Sequence, residues 1–146
     1  MITKTQEEFM KLMTKVTQNY QLIDALRYDM IPEIQSLKTL YSNLAKASSI
    51  ESQCPSFRSF LAGIGRSYSQ ATYLIKIGEY ITENDIEMGW LVKNTIPISV
   101  VEFLRKNKIK WDNDVMHDVL SNDYPQLVKI YGKKKKENKE TEVQGV

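Results

Sequence analysis

The feature that most limits what this chain can become is a run of apolar side chains at helical spacing. Between about Thr3 and Tyr28, the residues Phe9, Leu12, Met13, Val16, Tyr20, Ile23 and Leu26 recur at i, i+3, i+4 and i+7. That period belongs to one stripe of an α-helix, either facing a core or docking on a partner chain. The rhythm returns in Ile34, Leu37, Leu40, Tyr41 and Leu44, and again in Phe57, Phe60, Leu61 and Ile64 after Pro55. It continues through Ala71, Leu74, Ile75 and Ile77, then Ile86, Trp90 and Leu91, then Ile98, Val101, Phe103 and Leu104. Two short runs close the chain, Val115 to Leu120 and Leu127 to Tyr131. Only Thr95 to Val101 approaches a strand pattern, and Pro97 interrupts it. The expectation is an all-α fold, a single compact domain of about eight helices with short loops.

Punctuation residues predict the boundaries. Asp29 to Pro32 breaks the first stripe, with Pro32 in the first turn of a second helix. Ser48 to Gln53 reads as a loop. The pair Gly63 and Gly65 reads as a helix stop, because glycine accepts a positive φ without a Cβ clash. Ser67 or Ser69 suits the N-cap of the following helix, and Thr82 to Asp85 has capping-box spacing for the next. Asp112 and Asp123 each precede a short apolar run as N-caps, and Gly132 stops the last helix. Three segments result: 1–30, an N-terminal helix able to dock on a partner; 31–132, a helical domain; and 133–146, a charged tail expected to be disordered.

At 146 residues the chain is one domain in length, with 42% hydrophobic and 26% charged residues. Its net charge of +2 resides in the tail, where five Lys face three Glu, leaving fifteen residues of each sign elsewhere. Strong non-specific nucleic-acid binding by a neutral body is not expected. No run approaches the roughly 18 apolar residues of a membrane helix, and no apolar leader follows Met1. The expected setting is soluble and cytoplasmic. One Cys (Cys54) and one His (His117) exclude an internal disulfide and a zinc or iron–sulfur site made by this chain alone.

No nucleophile–base or metal motif is present, so the expectation is no catalytic residue and no metal of its own. Asp112 and Asp114 read as helix-start residues rather than a metal pair. Lys133 to Lys136 reads as a solvated terminus with a phosphate-contact alternative. Arg58 and Arg66 flank the glycine corner, where both guanidiniums could reach one phosphate; the alternative is two unrelated surface cations. The recurrence of Val100 to Leu104 in Gln126 to Tyr131, with a new unit starting at Trp111 and Asp112, gives a second reading. It is a helical interaction scaffold of degenerate ankyrin-like repeats with no nucleotide site, although the Thr-Pro-Leu-His turn is missing.

The stretch from Phe57 to Ile75, with its Phe60-Leu61-Ala62-Gly63-Ile64-Gly65 core, resembles the C-terminal domain of the primase large subunit. Ile31-Pro32-Glu33-Ile34 through Leu44 is similar to that family's opening helix, and Val101 to Tyr131 to its closing helices. The four cysteines that hold the family's 4Fe–4S cluster are missing here, and Cys54 and Glu51 stand where an Arg and a His hold the nucleotide triphosphate. A free-standing, cluster-free version of the domain is similar to the accessory X subunit of archaeal primases. The resemblance implies a non-catalytic subunit of a heterotrimeric DNA primase that supports RNA primer synthesis, with the small catalytic and large subunits as partners. Template DNA would be reached through the complex, in a nucleoid-associated setting. It implies a ribonucleoside triphosphate as ligand and no bound cofactor, with Arg58, Arg66, Trp90, Lys93 and Asn94 as the nucleotide-binding residues.

Overall fold

The computed structural model describes residues 3–47 and 56–132, and all of its regular structure is helical. In chain order the helices are α1 (Lys4–Ala47), α2 (Phe57–Gly63), α3 (Tyr68–Glu83), α4 (Met88–Lys93), α5 (Ile98–Lys106) and α6 (Asn113–Ser121). A seventh, α7, covers 124–132. The expected loop at 48–53, the helix start at Pro55 and the tail lie outside the described residues.

The first correction concerns α1. The break expected at Asp29 to Pro32 is not there: one helix of 44 residues runs through it, with Pro32 inside. An internal proline removes one backbone hydrogen bond and costs about 3 kcal/mol. Burial of the turn just before it offsets that cost. Tyr28 and Ile31 are each only 1% exposed, and the Tyr28 hydroxyl donates to the Ile96 carbonyl at 2.8 Å. The boundary expected at 30/31 therefore falls inside one helix, and seven helices replace about eight among the described residues.

The second correction concerns what α1 buries. Its C-terminal half packs chiefly along α3, with contacts to α2, α4 and α5. Asp24 accepts a hydrogen bond from the Ile98 backbone N–H, at the start of a helix whose own N-cap, Pro97, supplies no side chain. Burial nevertheless pushes the Asp24 carboxyl above its usual range. The twenty residues from Lys4 to Ile23 lie outside the body, about 30 Å of helix. The stripe Phe9 to Leu26 does not enter the core: its seven side chains are 44% to 66% exposed. Leu40, Leu44, Phe60 and Ile64, also expected inside, are exposed.

The main core gathers α1, α3, α4, α5, α6 and α7 around Ile77, Leu91, Val101, Leu104 and Leu127. A smaller cluster joins α2 to α3 through Phe57, Leu61, Ala71 and Ile75, with Leu37 and Tyr41 of α1 against it. Gly78 sits at the tightest approach of α1 and α3, where a Cβ would lie 2.5 Å from Ile31 Cγ2 and also meet Gln35.

One corner geometry recurs. At the end of α2, Gly65 takes φ +73° and the Arg66 N–H reaches back to the Leu61 carbonyl at 2.8 Å. The same six-to-one bond closes α3 (Ile86 to Ile81, 2.9 Å), α4 (Ile96 to Leu91, 3.0 Å) and α5 (Ile109 to Leu104, 3.0 Å). There the left-handed residue is Asp85, Thr95 or Lys108, with φ between 50° and 55°. Each is preceded by an Asn whose side chain donates to the carbonyl four residues back, and followed by an Ile that packs inward. The Asn-Asp pair at 84–85 thus ends α3 instead of starting a helix, which overturns the capping box expected at Thr82. The N-caps expected at Ser67, Asp112 and Asp123 are present; they accept from the N–H groups of Gln70, Val115 and Gln126.

Candidate functional site

The two arginines expected to hold a phosphate do flank the Gly65 corner, and both are exposed. The Arg58 guanidinium lies 4.4 Å from the centre of the Tyr68 ring, a cation–π contact that holds it along α3. Arg66 contributes its backbone N–H to the corner. Neither forms an ion pair with a carboxylate among the described residues.

Trp90 and Lys93 lie on α4 and Asn94 caps its end, against a different cluster. Lys93 is exposed in its last turn, and the Asn94 side chain is occupied in capping, donating to the Trp90 carbonyl at 2.9 Å. Trp90 packs edge-to-face on Trp111, ring centres 5.7 Å apart and planes at 77°. Among the described residues, no hydrogen bond, ion pair or ring contact joins Arg58 or Arg66 to the α4 group. The five residues are brought together as two separate sets.

Two concavities occupy the side of the molecule where the α3–α4 and α5–α6 connections run next to each other. One, of about 460 Å³, lies between α3 and the end of α5; it carries Lys76, Arg105, Lys108 and Lys110 against Glu79 and Glu83. Arg105 is already committed there, making two hydrogen bonds of 2.9 and 2.7 Å to the buried carboxylate of Glu102. The Glu102 contact holds the Arg105 guanidinium above its usual pKa range. The other, of about 330 Å³, carries Trp90, Trp111 and Met116 with Asp85, Glu87 and Asp112. Asn84 stands between the two: its amide donates to the Tyr80 carbonyl and its oxygen accepts the Trp111 N–H at 3.0 Å. The Tyr80 hydroxyl, in the last turn of α3, donates to the Ile109 carbonyl of the α5–α6 connection, and burial pushes its phenol up to about 12.

The acidic aromatic groove was missed from the sequence because Trp90 and Trp111 are 21 positions apart and no local pattern links them. Asp85 reads there as part of a capping box starting the next helix. No family model, no curated protein and no solved structure matches the chain.

Proposed function

We propose that this protein is a non-catalytic helical interaction module that works as a dimer, its α1 arm pairing with the same helix of a second copy. One observation carries the reading: the exposed stripe on the arm. An amphipathic helix in water draws most of its stability from covering its apolar face, and along the arm that face is bare. Phe9, Val16, Ile23 and Met30 follow one another at intervals of seven, with Leu12, Met13, Tyr20 and Leu26 filling the same face. A sustained seven-residue interval is what two like helices need to wrap around each other in a left-handed coil. The seven stripe side chains from Phe9 to Leu26 offer on the order of 700 Å² per chain, close to the roughly 800 Å² per partner of a stable interface. The repeated helix–corner–helix units of α2 to α6 supply a rigid body for the arm, in keeping with a scaffold.

Light scattering coupled to gel filtration tests this on the full chain. The expected result is twice the mass of one chain, falling to a single chain in the Val16→Asp, Ile23→Asp double variant while the core melts as before. A wild-type chain that stays monomeric at about 100 μM, some hundredfold above a micromolar Kd, overturns it.

A second reading, an accessory primase subunit binding the initiating ribonucleotide, is favoured by Arg58 and Arg66, two exposed cations beside the Gly65 corner that form no ion pair among the described residues. It predicts that the Arg58→Ala, Arg66→Ala double variant loses nucleoside-triphosphate binding and slows primer initiation with the catalytic and large subunits. Unchanged affinity removes it.

A further inference from the structure

We infer that the groove between the α3–α4 and α5–α6 connections binds a cationic side chain, an arginine or a methylated lysine, presented by a peptide segment of a partner protein. It lies on the helical body, independent of the α1 arm.

The chemistry follows from the groove's composition. Two indoles at 77° form a right-angled corner, and each carries negative charge density on its ring face. A guanidinium or quaternary ammonium is attracted to such faces, the more strongly as water is excluded. Asp85, Glu87 and Asp112 surround the indoles, and the groove lining contains no Lys or Arg. Among the described residues none of the three forms an ion pair, so no direct salt bridge neutralises them; the cations Lys108 and Lys110 line the adjoining concavity. Phosphates and other anions are repelled here, and a neutral ligand would leave the carboxylates unused. Asp112 spends one oxygen on the Val115 N–H at 2.8 Å and keeps the other.

The walls are also held in place before any ligand arrives. The bond from the Trp111 backbone N–H to the Asn84 side-chain oxygen ties the two connections together, and buried Ile86 anchors the α3–α4 side to the core. A cation therefore meets preset faces and pays little ordering entropy on the protein side. A volume of about 330 Å³ accommodates one long side chain with part of its backbone, at the small end of ligand sites.

The test has a built-in reporter, because Trp90 and Trp111 are the only two tryptophans. Their emission is followed while the full chain is titrated with three short acetylated, amidated peptides that differ at one residue: arginine, trimethyl-lysine or the neutral isostere citrulline. The expected result is a saturable change with the arginine or the trimethyl-lysine peptide at sub-millimolar concentration, absent with citrulline. Whichever cation binds more tightly identifies the source. Asp85→Asn and Glu87→Gln should each weaken that binding about fivefold at low salt, which is about 1 kcal/mol. Asparagine suits a left-handed corner, so Asp85→Asn leaves the fold intact. No saturable change up to about 10 mM, or equal binding of citrulline, overturns the assignment.

Discussion

Gly78→Ala and Gly89→Ala make the same chemical change on helices of the same body and should have opposite signs. In a helix interior, alanine is favoured over glycine by about 1 kcal/mol because it restricts the unfolded chain. At Gly89 nothing lies within 4 Å of the added methyl, so the variant should gain roughly 0.5–1 kcal/mol. At Gly78 the methyl falls 2.5 Å from Ile31 Cγ2, more than an ångström inside ordinary contact. Gln35 can swing aside, but Ile31 is β-branched and 1% exposed, so α1 and α3 must part. Overpacking of this kind costs about 1–3 kcal/mol; set against the propensity gain, the net loss should be about 1–2 kcal/mol. The two variants should then differ by about 2–3 kcal/mol, or on the order of 10 °C in Tm. Thermal and urea unfolding followed by circular dichroism, at one fixed protein concentration, measures both. Adding Ile31→Leu, which moves the branch away from Cβ, should restore part of the loss. A Gly78→Ala chain as stable as the wild type would refute the close helix contact and the seating of α1 on the body.

Two further outcomes concern buried polar groups. Burial raises the phenol pKa of Tyr28, Tyr80 and Tyr131, Tyr80 to about 12, against about 10 in an unfolded chain. The unfolded chain therefore releases these protons first. The tyrosine contribution to stability is intact below pH 10 and declines as pH climbs through the folded values. Denaturation above pH 10, read with tyrosinate absorbance, should be less steep in Tyr28→Phe, which also loses about 1–3 kcal/mol at pH 7 by stranding the Ile96 carbonyl. In the Glu102–Arg105 pair, the Glu102 side chain is the more buried partner. Arg105→Ala should cost about 3 kcal/mol by leaving that carboxylate short of its main partner, and Glu102→Ala about 2 kcal/mol. The reverse order in urea unfolding would contradict this account.

The all-α class was legible because the apolar period of Phe9 to Leu26, Ala71 to Ile77 and Ile98 to Leu104 leaves little room for strands. The caps at Ser67, Asp112 and Asp123 were legible because they are local chemistry. The Asn corners were not. Asn and Asp serve both as N-caps and as left-handed terminators, so Asn84-Asp85 reads equally well as a beginning or an end. Pro32 misled for a tertiary reason: its local cost is offset by Tyr28 and Ile31, whose partners Ile96 and Gly78 are distant in sequence. An apolar stripe left exposed has the same period as one that enters a core, so the exposure of Phe9 and Tyr20 is not visible in the pattern. The separation of Arg58 and Arg66 from Trp90 and Lys93 is likewise a property of packing, since α2 and α4 sit against different clusters.

The left-handed corners at Asp85, Thr95 and Lys108 bear on how freely this protein can change. Side chains with a Cβ pay roughly 1–2 kcal/mol in that conformation, and a β-branched residue such as Thr95 is the least suited of the three. At most positions a random substitution removes stability. At these three, glycine would relieve strain and add it back. At Thr95 and Lys108 the molecule thus holds an untapped reserve against mutational drift, available without touching its core, its arm or its tryptophan groove, whereas glycine at Asp85 would take a carboxylate out of that groove.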